Sequence, residues 1–150
     1  MDVVSYSFTQ DEIDELTKLM EKFVKNVYLD VAVLCDDGGR LITYAPQVEN
    51  LKPLSMRSAV ISAAINGALE YLEGFVDKAN TLYVAGNKRS VYMLKSEYSF
   101  ILFCSFHNGT PVGSVKLFSE KLLKEISPIL EKAKGRGKQP LTIRFEDIAI

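Results

Sequence analysis

The chain reads as an α+β sandwich, a five-stranded antiparallel sheet covered by three helices in the order α-β-β-α-β-β-β-α. Three observations predict it. Five short runs rich in β-branched and aromatic residues are bounded by turn formers. Three longer segments carry apolar residues at helical spacing. Most links between the strand-like runs are too short for anything but hairpins, which makes the sheet antiparallel. The 150 residues suffice for one domain with a normal core.

The first helix opens at Thr9. Thr9 and Glu12 have capping-box spacing, and Phe8 with Ile13 has hydrophobic-staple spacing. Ile13, Leu16, Met20, Phe23, Val24 and Val27 then recur at helical intervals. Asp11, Glu12, Asp14 and Glu15 lie in the first turns, where the helix dipole favours negative charge. Tyr28–Cys35 and Arg40–Tyr44 follow as strands around the turn Asp36-Asp37-Gly38-Gly39. Pro46 and Pro53 bracket a loop.

The second helix, expected over Met56–Val76, is the most informative stretch. Ser58, Ser62, Asn66, Glu70 and Glu73 gather into one polar arc, read as its wet side. Ile61, Ile65, Leu69 and Leu72 form one apolar ridge. Met56, Val60, Ala63, Ala64, Gly67, Tyr71 and Phe75 form a second surface. The apolar sector spans roughly 200°, against the roughly 100° stripe of a helix resting on one core. A helix buried on two sides needs two covers, and a short chain supplies one. The other cover is expected to be a second subunit.

Thr81–Ala85, Ser90–Leu94 and Ser99–Phe106 complete the strands. Thr110 and Pro111 suit the start of the third helix, with Thr110 as N-cap. Val115, Phe118, Leu122, Ile126, Ile129 and Ala133 mark its apolar stripe, and Pro128 is expected to kink or split it. Residues 1–134 then form the domain. Residues 135–150 form a linker, Gly135–Pro140, and a tail, Leu141–Ile150, free to add a strand or stay mobile.

Composition excludes several function classes. A net charge of −1 creates no global field for nucleic acid or membrane. No apolar run approaches the length of a membrane span, and Met1–Ser7 lacks the pattern of a signal peptide. Cys35 and Cys104 lie in apolar strands and read as core thiols of a reducing cytoplasm. The single histidine, His107, has no properly directed nucleophile; a triad with Cys104 or Ser105 would point the wrong way along one strand. Asp36 and Asp37 lack the spacing of a calcium loop and read as turn formers. No phosphate-cradling loop exists. The run Lys132, Lys134, Arg136, Lys138 reads as a solvated helix end. No catalytic residue, cofactor or metal is expected, so the chain reads as an interaction module and not an enzyme.

The element order, the hairpin Val31–Ile42 with its Asp and Gly turn, and the alanine-bearing second helix resemble the Roadblock family, which includes dynein light chains and MglB-like regulators. The resemblance covers Asp11 to Ala133. One departure is Asn26-Val27-Tyr28-Leu29-Asp30, where family members often place a glycine before the first strand. The resemblance implies a profilin-like fold and a homodimer or heterodimer that pairs second helices and third strands. Met56, Val60, Ala63, Ala64, Gly67 and Tyr71 of the helix, with Thr81, Leu82, Tyr83 and Val84 of the strand, become the expected interface. It further implies an adaptor or regulator that binds a small Ras-like GTPase, the nucleotide staying in the partner. Two alternatives are a metabolite-binding sensory domain, with Tyr44, Tyr83, Tyr92 and Tyr98 lining a pocket, and a scaffold subunit docking through its tail.

Overall fold

A computed structural model describes the backbone of residues 7–148 and side chains through residue 136. The elements are α1 (Gln10–Val27), β1 (Val31–Asp36), β2 (Leu41–Ala45), α2 (Lys52–Glu70), β3 (Thr81–Ala85), β4 (Arg89–Lys95), β5 (Phe100–His107) and α3 (Val112–Ile148), with a 3-10 turn at Glu49–Leu51. The five strands form one antiparallel sheet in the order β2-β1-β5-β4-β3. The expected fold class and element order are both present.

The sheet separates two cores. On one face α1 and α3 bury Leu16, Met20, Phe23, Ile126 and Leu130 against Leu34, Phe100, Leu102 and Phe106. On the other, α2 covers Val33, Cys35, Ile101 and Phe103 through Ala59 and Ile65. β1 and most of β5 are buried because both sheet faces are covered at the centre.

α1 begins as expected. Thr9 is the N-cap, and the Thr9 and Glu12 side chains bond reciprocally to each other's backbone amides. The helix ends at Tyr28, whose φ of 60° is left-handed. A tyrosine here holds the left-handed backbone that glycine adopts most readily. In the first hairpin the turn resolves onto Asp36 and Gly39. Buried Asp36 accepts from the amides of Gly38 and Arg40 at 3.0 and 2.8 Å and from Arg40 Nε at 3.0 Å. Gly39 has φ +91°, and a Cβ there would lie 3.4 Å from Ala63 Cβ, so the turn nestles against α2.

Several boundaries differ. α2 starts four residues before Met56, with Pro53 in its first turn, and ends at Glu70 instead of Val76. Tyr71 caps it, Phe75 lies in the following turn, and Gly74 (φ +106°) is beyond the helix. Proline suits a first turn because its missing N–H is unpaired there anyway. Thr110 is not the N-cap of α3: its hydroxyl donates to Tyr28 O at 3.0 Å, and the Pro111 carbonyl accepts the first helical bonds. α3 is not split at Pro128. It passes through Gly135–Pro140, expected as a linker, and through the expected tail to Ile148.

Candidate functional site: the outer face of α2 and the β3 edge

The polar arc of α2 faces the opposite way from expectation. Its buried residues are Ser55, Ser58, Ala59, Ser62, Asn66 and Leu69. Ser58, Ser62 and Asn66 therefore lie against the sheet instead of in water. Of the expected polar arc only Glu70 and Glu73 are exposed. The physical reason is size and self-satisfaction. Small side chains let the helix sit close to a flat sheet. Ser58 and Ser62 donate back to the Leu54 and Ser58 carbonyls at 2.9 and 2.8 Å, which removes most of the penalty for burying a hydroxyl.

The consequence is an outward apolar face. Met56 is 53% exposed, Val60 62%, and Tyr71 87%. Ala64 is exposed, and Ala63 and Gly67 are half-buried. A Cβ on Gly67 would meet nothing within 4 Å, so another backbone has room to approach. Exposed apolar side chains contiguous on one element mark interaction surfaces rather than random surface composition.

β3 is an edge strand. Register divides its residues between the two faces. Leu82 and Val84 pair with Met93 and Val91 and so lie on the α2 side. Thr81 and Tyr83 pair with Leu94 and Tyr92, which belong to the α1–α3 core. Leu82 is half-buried and the other three are exposed. α2 packs over β1, β2 and β5, with β3 outboard of it. α2 and the Leu82 and Val84 side chains thus share one face of the sheet, whose β3 edge is open to pairing.

The remaining side chains with chemical potential are tied up structurally. Burial pushes the Cys35 and Cys104 thiols up to about 12, against weak opposing bonds from Ser62 and Ser119. His107 Nδ1 lies 3.0 Å from Asp30 Oδ1, with Arg89 Nε 3.6 Å from Asp30 Oδ2. Arg136 of the basic run bonds Ser7 O and Glu12, clamping α3 to the start of α1. Burial alone would raise the Glu12 pKa, but the Thr9 amide and Arg136 outweigh it and hold it low. Among the described residues no group of three or more His, Cys, Asp or Glu is placed to hold a metal. No described helix is long and apolar enough to cross a membrane. The four tyrosines do not share a pocket: Tyr44 packs in the α2-side core and Tyr92 in the opposite one.

No family model matches the chain. A protein of Aquifex aeolicus (strain VF5), itself described as uncharacterized, is 22% identical over 151 residues, covering 99% of this chain and 93% of its own length. Myxococcus xanthus MglB superposes with a TM-score of 0.74 at 24% identity over 85% of this chain and 96% of that one. A Roadblock/LC7 domain from Streptomyces avermitilis gives 0.66 at 14% identity, over 76% and 96%. This chain has the Roadblock/LC7 fold. Schizosaccharomyces pombe profilin gives 0.52 at 14% identity over 80% and 97%, which places the Roadblock/LC7 fold of this chain among profilin-like sandwiches.

Proposed function

We propose that the chain is a non-catalytic, MglB-like dimeric adaptor that regulates a small Ras-like GTPase. One observation carries the reading: α2 buries its small polar side and presents Met56, Val60 and Tyr71 outward, on a sheet whose β3 edge is unpaired within the protomer. Two copies that pair α2 with α2 and β3 with β3 would remove both surfaces from water and join two five-stranded sheets. The likeness to MglB supports the class of partner. The nucleotide and its magnesium belong to the GTPase, and the dimer supplies a shaped, rigid surface. The interface consists of Met56, Val60, Ala63, Ala64, Gly67 and Tyr71 with the β3 segment Thr81–Val84. The protein works in the cytoplasm, where its thiols stay reduced.

The test has two parts. Sedimentation of the purified chain should give twice the mass of one copy. Small GTPases from the same genome, loaded with GDP or a GTP analogue, should then co-elute with the dimer in one nucleotide state and change their single-turnover hydrolysis rate. A monomeric chain, or no GTPase retained in either state, would defeat the reading.

A further inference from the structure

The sheet-facing side of α2 ends in a polar pocket of about 360 Å³. Its walls are the last turns of α2, the residues that lead into β3, and the turn between β4 and β5. That volume lies within the range of sites that hold small molecules. Asn66, 8% exposed, lines its buried end. Ser58 and Ser62, on the same face of the helix, settle their hydroxyls on backbone carbonyls. The Asn66 amide has no hydrogen-bond partner among the described residues. A buried amide in that state costs stability unless water or a ligand meets it. It offers one carbonyl acceptor and two N–H donors, so it can hold either an ammonium or a carboxylate.

Charge is divided across the pocket. The α2 wall carries Glu70 and Glu73. α2 has no basic residue in its last turn, so the negative end of the helix dipole adds to these carboxylates. The opposite wall carries Lys78 and Lys95, with Glu97 offsetting one of them. The Lys95 amide donates to Asn80 O at 2.8 Å, which holds the segments bearing the two lysines side by side. None of these five charged side chains forms an ion pair among the described residues. The carboxylates do not converge as metal ligands either. Opposite charges set on facing walls and left unpaired suit a molecule that carries both signs.

We propose that this pocket binds a free α-amino acid as its zwitterion. The ammonium goes to the Glu70 and Glu73 wall and the carboxylate to Lys78 and Lys95, while Asn66 bonds the end that enters deepest. The pocket shares no residue with the interface proposed above. A chain that stays monomeric, or that ignores GTPases, would leave this site untouched.

The experiment uses the full chain, with each proteinogenic L-amino acid in turn as the probe. Titration calorimetry should give saturable heat with at least one of them. The same compound should raise the melting temperature with concentration, as mass action requires. The matching amine lacks the carboxylate and the N-acetyl derivative lacks the ammonium; each should bind about tenfold more weakly or worse. Glu70→Gln, at the exposed rim, and Lys95→Met should weaken binding by a similar factor. Asn66→Leu gives a readout that a structural role would reverse. It removes a buried amide that bonds nothing in the protomer, so the unliganded melting temperature should hold or rise while the response to the amino acid is lost. No saturable response to any amino acid, an amine that binds as tightly, full affinity in Glu70→Gln, or an unliganded Asn66→Leu that melts below the native chain would each overturn the proposal.

Discussion

Tyr28 holds a left-handed backbone that costs an L residue about 1–2 kcal/mol, and its ring is 80% exposed, so little packing offsets the strain. Tyr28→Gly should therefore stabilise the chain by about 1 kcal/mol, read as a higher urea midpoint with unchanged slope. A lower midpoint would show that the ring contributes contacts worth more than the strain. Asp36 is the opposite case. Its carboxylate is 1% exposed and satisfied by two amides and a guanidinium. Asp36→Ala leaves those donors short of an acceptor and should cost about 3 kcal/mol. The same midpoint measurement checks it. The sequence pattern identified the turn but not which aspartate mattered, because burial chooses between neighbours that are chemically identical.

α2 shows where residue patterns mislead. Its apolar and polar arcs were both legible. Which arc faces the protein's own sheet was not. Hydropathy ranks serine as polar, yet Ser58 and Ser62 satisfy themselves on their own helix and behave as small packing residues. The elements bounded by strong punctuation, α1 with its capping box and β3 between its turns, fall where the sequence places them. Ser62→Leu tests the inverted orientation. Added bulk against the sheet should destabilise the protomer by about 1–3 kcal/mol, while Val60→Ser on the outer face should leave protomer stability nearly unchanged and weaken association. Ala64→Arg should yield monomer or insoluble protein, because a central charge would be buried without a partner. An unchanged sedimentation coefficient would move the interface elsewhere.

For the whole molecule, the two buried thiols set an alkaline limit. Both titrate near 12 when folded, against about 8.5 for an exposed cysteine. Below about pH 8.5 both states hold their protons and this contribution to stability is complete. As pH rises toward 12 the unfolded chain loses protons that the folded chain keeps, so stability falls across that window. Urea midpoints measured at pH 8 and 10.5 should differ in that direction, and thiol reagents at pH 8 should react only as fast as the chain unfolds.

The outward-facing Met56, Val60 and Tyr71 bear on the life of the chain before it meets a counterpart. A newly made copy carries an adhesive flank from the moment it folds. If copies pair as proposed, those left over would be the first held by chaperones or degraded, and standing abundance would settle at whatever level finds a companion.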